Sequence, residues 1–288
     1  MHKIVIITER LASLSYKFAE ENNIHLFPVN IIYKDEIFKD DNDIKANKFL
    51  NELPTFDEIP STAVPSIGEL YELFKVILKN SKEGIYISAS SKLSGIYNVG
   101  LKVSKMLKND GINLKVFDSY GVVSIEGMYT FEALKLSKEG KDLDTIYKQL
   151  EIIKKERNIV EYGVLETLKY LQKNGRIGKA KAWIANLFSF KPLISAKNGE
   201  LEPIAKVRTN EQGLNLIVTK IKKDLENKNN KKITVMFDYS LSTDYLKDEV
   251  EPRIKKEFNS NIISYNQISI AVACHLGPSV WGVCVKYE

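Results

Sequence analysis

Short apolar runs alternate with stretches of helical periodicity through the first half of the chain. Lys3–Thr8, Gly84–Ser88 and Leu114–Asp118 are compact apolar runs bounded by polar residues, which predicts buried strands. Stretches with helical spacing lie at Leu11–Asn22, Asp43–Leu53, Ser66–Asn80, Ser94–Lys108, Val122–Lys138 and Leu143–Glu156. This alternation predicts an α/β fold with a mostly parallel sheet and helices on both faces.

Two further segments of the first half have their own patterns. His25–Phe38 is rich in β-forming residues and predicts a pair of strands with a turn near Lys34. Pro54–Pro65 contains three prolines and predicts an extended loop. Ser66 then predicts a helix N-cap, with Glu69 placed to complete a capping box.

The pattern changes after residue 158. Lys197-Asn198-Gly199 separates two strand-like runs, which is a strong signal for a β-hairpin. The strands predicted here are Ile159–Gly163, Phe190–Ala196, Glu200–Lys206, Lys231–Asp238, Ile262–Tyr265, Ile268–Ala273 and Val280–Lys286, and the helices are Glu166–Lys173, Lys179–Phe188, Asn210–Asn227 and Thr243–Glu257. We therefore expect an N-terminal α/β domain over residues 1–158 and a C-terminal α+β domain with a mainly antiparallel sheet over residues 159–288.

Composition narrows the class of protein. Hydrophobic residues make up 44% of the chain and charged residues 27%, as is usual for a soluble globular protein. The 42 Lys and Arg exceed the 37 Asp and Glu only mildly and are scattered over predicted helix faces, so no nucleic-acid partner is expected. The absence of a signal-peptide pattern, of a run of roughly 20 apolar residues and of a disulfide framework favours a cytoplasmic protein.

The segment Ser90–Tyr97 follows a predicted strand and opens a helix. The first N–H groups of a helix have no partner within the helix, and the positive end of the helix dipole lies there. The hydroxyl of Ser94 and the uncovered backbone at Gly95 therefore suit a carboxylate or a phosphate. Ordinary N-capping by serine explains the same residues, and the spacing of a Walker A loop is absent.

Two other polar segments carry candidate ligand groups. Thr62 lies in a polar loop that enters a helix, where it either donates a hydroxyl to the same anion or serves the loop alone. His275 stands at the predicted junction between an apolar strand and a turn, and histidine there donates to a carboxylate or has a structural role. Cys274 and Cys284 are expected to pack as small hydrophobes, because a zinc site needs more ligands than these residues supply.

A fourth segment, Asn174–Gly178, follows a predicted helix. Gly175 has the position of a helix C-cap, and Arg176 is either a surface charge or an anion clamp.

In this order and at this spacing, the segments resemble the motifs of the DegV family. The matching pieces are Thr8-Glu9-Arg10, Thr62–Ser66, Ser91–Tyr97, Asn174–Ile177 and His275–Ser279, together with Phe117–Ser119 and Phe190–Leu193. The resemblance implies two domains with an apolar tunnel between them, in which relatives bind a long-chain fatty acid and present it to a fatty acid kinase subunit for phosphorylation of its carboxyl group. It implies a carrier that uses no cofactor and catalyses no reaction by itself.

Site residues follow from the resemblance position by position. Thr62 and Ser94 would donate hydroxyls to the carboxylate, and Gly95 would supply a backbone N–H group. His275 would complete the clamp together with Gly277 of the same motif, and Arg176 would serve the head group or the kinase surface. Transient contact with a membrane surface during lipid loading is compatible with this role.

The chain departs from the family pattern at several of these positions. Glu9 and Arg10 replace an Asp-Ser pair, and Ala63 and Val64 replace a Ser-Gln pair beside Thr62. These departures bear more on delivery to a kinase than on capture of the anion. Two other functions stay open at this point: a lipid sensor that regulates a partner without transfer, and a hydrolase with Ser94 as nucleophile and His275 as base.

Overall fold

The computed structural model of the chain describes residues 4–40, 44–186, 189–226, 228 and 231–288. Its strands are β1 (Val5–Glu9), β2 (Ile24–Phe27), β3 (Asn30–Tyr33), β4 (Glu36–Lys39), β5 (Ser61–Ala63), β6 (Glu83–Ser88), β7 (Asn113–Asp118), β8 (Ile159–Leu165), β9 (Lys191–Lys197), β10 (Glu200–Val207), β11 (Lys232–Tyr239), β12 (Asn259–Gln267) and β13 (Val280–Tyr287). Its α-helices are α1 (Tyr16–Glu21), α2 (Ile44–Glu52), α3 (Ile67–Ile77), α4 (Ile96–Asn109), α5 (Ser124–Lys138), α6 (Leu143–Lys155), α7 (Lys169–Lys173), α8 (Asn210–Glu226), α9 (Glu251–Glu257) and α10 (Ile270–Leu276).

Four strands form a parallel sheet in the order β2-β1-β6-β7. Alternate residues of β1 face opposite sides, as the period of a strand requires. Ile6 shares a buried cluster with Met128 of α5, whereas Ile7 shares one with Phe74 of α3. The predicted parallel sheet with helices on both faces is therefore confirmed.

The hairpin β3–β4 belongs to a second, antiparallel sheet in the order β4-β3-β5. The strand pair predicted over His25–Phe38 is thus present, although its first part is β2 of the parallel sheet. The segment Pro54–Pro65 is only partly a loop, because it contains strand β5, which pairs with β3. A pairing partner this far along the chain is a tertiary feature that local composition does not reveal.

The second half of the chain forms six strands in the order β10-β9-β8-β13-β11-β12. Every pair in this sheet is antiparallel except β11–β12, which confirms the mainly antiparallel sheet. The hairpin turn falls at Asn198 and Gly199, which both have positive φ as the sequence predicted. Helices α8 and α9 contribute to the cluster on one face, and α5 lies against the other. The domain boundary at residue 158 stays a prediction.

The prediction of a strand over Ile268–Ala273 is wrong, because α10 occupies this segment. Ser269 caps the helix by accepting a hydrogen bond from the backbone N–H of Val272 at 3.2 Å. The helix is buried on all sides over its first five residues, so it carries no polar face and no helical period. A short apolar run of this kind cannot be distinguished from a buried strand by periodicity. His275 therefore lies in the last turn of a helix rather than at the end of a strand.

Other predicted helices are shorter or of another type. Leu11–Asn22 is interrupted: a 3-10 turn covers Arg10–Ala12, and α1 begins after Ser15, which caps it. A 3-10 helix covers Gly178–Asn186, while Phe188 of the predicted helix lies outside the described residues. Elsewhere α7 forms only the second part of Glu166–Lys173, and a π-helical turn, Leu246–Val250, leads into α9. The predicted capping box of Ser66 and Glu69 is confirmed at the start of α3.

Glu9 ends β1 and Arg10 follows it, and both of these departures from the family pattern are buried. Glu9 accepts a hydrogen bond from the backbone N–H of Ala89 at 2.9 Å, and it lies beside Glu126, which accepts one from Thr8 at 2.8 Å. Burial raises the pKa of Glu9 to about 7. Burial and the charge of Glu9 hold the pKa of Glu126 well above its usual range.

We expect this pair to make the chain less stable as the pH rises from 4.5 to about 7. In that window Glu9 keeps its proton when folded but loses it when unfolded, so rising pH favours the unfolded chain, by up to about 3 kcal/mol. Denaturant titrations at both ends of the window measure this slope. The Glu9→Gln variant, which retains an acceptor for Ala89, should show a smaller slope. The exposed substitution Glu20→Gln is the control, and an unchanged slope in Glu9→Gln would contradict the assignment.

Candidate carboxylate site and apolar cavity

A cavity of about 390 Å³ lies where α10, β5 and the loop before α4 meet. This volume is in the usual range of small-molecule sites, about 300–1,000 Å³. Its polar lining residues are Thr62, Ser94, Gly95, Arg176 and His275. Its apolar lining residues are Leu11, Ala63, Val64, Leu93, Val122, Leu171, Leu201, Val272 and Leu276. The cavity thus combines an apolar wall with one group of convergent polar side chains.

Thr62 and His275 meet across this cavity although 213 residues separate them in the sequence. The hydroxyl Oγ1 of Thr62 lies 2.9 Å from Nε2 of His275. β5 carries Thr62, and the last turn of α10 carries His275. An anionic oxygen beside this pair can accept from the threonine hydroxyl while the Nε2–H of His275 donates to Oγ1 of Thr62.

The side chain of Asn174 holds these two elements together. Its Nδ2 donates to the carbonyl oxygen of Cys274 at 2.7 Å and to that of Pro60 at 3.0 Å. These carbonyls lie immediately before His275 and two residues before Thr62. No local pattern in the sequence indicates this role, because both bonds go to backbone atoms that are at least 100 residues away.

Ser94 and Gly95 occupy the turn that leads into α4. The backbone N–H of Ser94 donates to Ser90 at 2.9 Å, and the Ser94 hydroxyl accepts from the N–H of Ile96 at 3.3 Å. Gly95 is the N-cap residue, and a Cβ at this position would meet nothing within 4 Å. The backbone at the start of α4 is therefore accessible to an anion, and the helix dipole favours negative charge there.

The turn before α4 is held by the neighbouring strands. Ser90 donates its hydroxyl to the carbonyl oxygen of Gly199 at 2.7 Å, which ties the turn to the β9–β10 hairpin. Asp118, at the end of β7, accepts from the backbone N–H of Ser91 at 3.2 Å. The adjacent parallel strands β6 and β7 thus bring their carboxyl ends to one edge of the sheet and fix the turn there.

Arg176 is exposed and lies at the rim of the cavity. Its Nε donates to the carbonyl oxygen of Leu93 at 3.2 Å, and its Nη1 donates to that of Asn174 at 2.6 Å. Burial, together with the positive charge of Arg176, lowers the pKa of His275 to about 4. His275 is consequently neutral near pH 7, and the positive charge at the site comes from Arg176.

Gly277 is placed differently from the other predicted site residues. It caps α10 with φ +86°, and a Cβ there would lie 2.7 Å from the ring of Tyr170. It is absent from the described residues that line the cavity. Its geometry gives it a role in ending α10 after His275, while direct contact with a ligand stays a prediction, as it does for the other predicted site residues.

The whole sequence was compared with models of protein families and with known proteins. The sequence model of the family described as "Uncharacterised protein, DegV family" matches residues 3–288. The chain belongs to the DegV family. It is 34% identical to a DegV domain-containing protein of Clostridium acetobutylicum, in an alignment that covers 100% of both chains. It is 26% identical to Protein DegV of Bacillus subtilis, over 98% of each chain.

Solved structures of DegV proteins share the fold of this chain. A DegV family protein from Thermus thermophilus, described as binding fatty acid, superposes with a TM-score of 0.90 at 21% identity, covering 99% of this chain and all of that one. DegV from Bacillus subtilis, described as a fatty acid binding protein, gives a TM-score of 0.85 at 24% identity over 100% of both chains. At these identities the likeness concerns the fold.

Two other features are absent from the described residues. No group of three or more His, Cys, Asp or Glu side chains there is arranged to hold a metal ion. No helix in the same residues is long and apolar enough to cross a membrane. Cys274 and Cys284 are buried and free, and burial raises the pKa of both thiols.

Proposed function

We propose that this DegV family protein binds one long-chain fatty acid, with the carboxylate at Thr62, Ser94 and His275 and the acyl chain in the cavity. The observation that carries the proposal is an apolar cavity that ends at hydroxyl, imidazole and backbone donors from three distant segments. The descriptions of the relatives from Thermus thermophilus and Bacillus subtilis as fatty-acid-binding support it.

The acyl chain and the head group contribute differently to the free energy of binding. Each methylene group that leaves water contributes about 0.8 kcal/mol, so the acyl chain supplies most of the affinity. A neutral hydrogen bond adds about 0.5–1.5 kcal/mol, and one to a charged acceptor adds more. The donors therefore fix the direction in which the ligand enters, and Arg176 adds a positive charge at the rim.

Native extraction followed by mass spectrometry tests this function. The purified chain should release one fatty acid per molecule, and delipidated protein should bind added long-chain fatty acid with that stoichiometry. Recovery of no fatty acid, together with no uptake by the delipidated protein, would refute the proposal. Uptake of an alcohol with the same tail at equal affinity would contradict the carboxylate assignment.

The finer proposal is that the protein presents its fatty acid to the ATP-binding subunit of a fatty acid kinase, which phosphorylates the carboxyl group. The open cavity rim with Ser94 and the exposed Arg176 supports this, because the head group then lies near the surface. A regulatory lipid sensor without transfer uses the same cavity. Phosphorylation of bound fatty acid by such a kinase distinguishes the two functions.

A hydrolase is not favoured by the geometry. The near neighbour of His275 Nε2 is Thr62, and the Ser94 hydroxyl accepts a bond from Ile96. Nδ1 of His275 has no hydrogen-bond partner among the described residues, so no carboxylate orients the ring as a catalytic base would require. The absence of an acyl-enzyme after incubation with an activated ester is the expected result.

Replacing Ser94 with alanine is expected to reduce retained fatty acid modestly, by about 2- to 10-fold, because one hydrogen bond is lost while the tail stays buried. Phosphorylation of the bound lipid should fall more than retention does, because the head group loses its fixed position. Lipid content and phosphorylation rate are measured on the same preparation. Ser91→Ala, in the same turn but outside the described cavity lining, is the control. Equal losses of retention and rate would contradict the positioning role.

A further inference from the structure

A second, smaller cavity of about 50 Å³ lies beyond the inner wall of the first. The two share the side chains of Val122, Leu201 and Leu276, so these three residues separate them. An acyl chain that enters past the head-group site and displaces these three side chains reaches the smaller cavity. Its lining contains two carboxyl groups, Glu161 and Asp238, which is unexpected at the inner end of an apolar site.

The register of the six-stranded sheet explains why these carboxyl groups meet. Gly282 of β13 pairs with Gly163 of β8 on one side and with Asp238 of β11 on the other. Glu161 is two residues from Gly163 and therefore faces the same side of the sheet. The direct partner of Glu161 on β13 is Cys284, and because Gly163 and Gly282 carry no side chain, Glu161 reaches Asp238 diagonally past them. A Cβ added at Gly282 would lie 3.5 Å from Oδ2 of Asp238.

Asp238 is buried between Ser124 and Glu161. It is 2% exposed, and its Oδ1 accepts from the hydroxyl of Ser124 at 2.5 Å. Asn266 supports that serine through a hydrogen bond of 2.9 Å from its Nδ2 to the serine Oγ. Oδ2 of Asp238 is buried, and the polar neighbour left for this carboxyl group is Glu161, whose carboxyl proton it can accept. A ligand hydroxyl inserted between the two groups can replace this contact, by accepting from Glu161 and donating to Asp238.

Glu161 is half-buried although it lies on an interior strand, because it lines the cavity. Burial, together with the charge of Asp238, holds the pKa of Glu161 well above its usual range. Burial also raises the pKa of Asp238. The pair therefore offers both a proton donor and an acceptor, which a methyl group cannot use and a hydroxyl group can.

We infer that the site is built for a long-chain fatty acid that carries a hydroxyl group on the part of its tail that reaches Glu161 and Asp238. The hydroxyl oxygen accepts a hydrogen bond from the Glu161 carboxyl group, and the hydroxyl proton is donated to Oδ2 of Asp238. This inference rests on the proposed function, since it assumes that the carboxylate is held at the other end of the cavity. It adds a substrate class that an apolar tunnel alone would not select.

Affinity measurements on the delipidated full chain test the inference. The ligands are stearic acid and a series of hydroxystearic acids in which the hydroxyl moves from mid-chain toward the methyl end. Wild type should bind at least one isomer about 3- to 10-fold more tightly than stearic acid, the gain of one or two hydrogen bonds. Glu161→Leu should abolish this preference, whereas Glu161→Gln, which keeps an N–H donor, should retain part of it.

Controls separate the possible results. Glu139→Leu places the same substitution on an exposed residue and should keep the wild-type preference. Equal affinity of wild type for stearic acid and every hydroxylated isomer would overturn the inference and leave the proposed function intact. A preference that persists in a folded Glu161→Leu variant would also overturn it. Failure of every fatty acid to bind would refute the proposed function itself.

Discussion

Replacing Ala63 with tryptophan is expected to lower the retained fatty acid at least tenfold. Ala63 lies on β5, an edge strand, and its half-buried side chain lines the cavity beside Thr62. An indole ring here occupies space that the acyl chain would fill. Exclusion of only two or three methylene groups costs about 2 kcal/mol, which corresponds to more than tenfold in affinity.

Lipid content by mass spectrometry and the affinity of the delipidated protein measure this effect. Val76→Trp introduces the same ring on α3 at a residue that is 71% exposed, and it should retain the wild-type lipid content. A melting temperature near that of wild type would show that Ala63→Trp is folded. Undiminished binding by folded Ala63→Trp would mean that the acyl chain does not use this cavity.

Replacing Arg10 with methionine is expected to destabilise the chain by about 3–5 kcal/mol, because it leaves a buried carboxylate without its ion-pair partner. Arg10 is 2% exposed, with Nε 3.7 Å from Oδ1 of Asp40, and its guanidinium lies over the ring of Tyr16. Asp40 is fully buried, and its Oδ2 accepts from the backbone N–H of Ala271 at 3.0 Å. The pair therefore anchors the first turn of α10, the helix that carries His275.

Chemical denaturation measures the loss of stability. Asp40→Asn in the Arg10→Met background removes the buried negative charge and should restore part of the free energy of unfolding. Lys48→Met breaks an exposed pair with Glu52 and should change stability by less than about 1 kcal/mol. An Arg10→Met variant as stable as wild type would mean that the Asp40 charge is compensated without Arg10. Because the Arg10–Asp40 pair also anchors α10, which carries His275, the Arg10→Met variant should retain less fatty acid as well.

The role of Arg10 changes how the departures from the family pattern are interpreted. Glu9 and Arg10 stand outside the described cavity lining and make buried contacts within the N-terminal half and to α10. By contrast, Ala63 and Val64 do line the cavity. The replacement of two polar residues by apolar ones there extends the apolar wall and leaves Thr62 as the polar residue of this segment in the described cavity lining.

Features that depend only on neighbouring residues could be predicted from the amino-acid sequence. The alternation of strands and helices, the capping box at Ser66 and the hairpin turn at Gly199 each follow from local conformational preference, and all are present. The order of the motifs also identified the family, since a family pattern is itself a property of the sequence. Thr62, Ser94 and His275 were named on these grounds before any contact was visible.

Contacts between distant residues, in contrast, become visible only in the folded chain. The helix α10 has no polar face because its surroundings bury it, so its sequence alone indicated a strand. The 2.9 Å contact between Thr62 and His275, the bridge made by Asn174 and the approach of Glu161 to Asp238 across Gly282 depend on packing between segments far apart in the chain. Local preference does not encode such contacts, because their free energy comes from burial and hydrogen bonding in the assembled core.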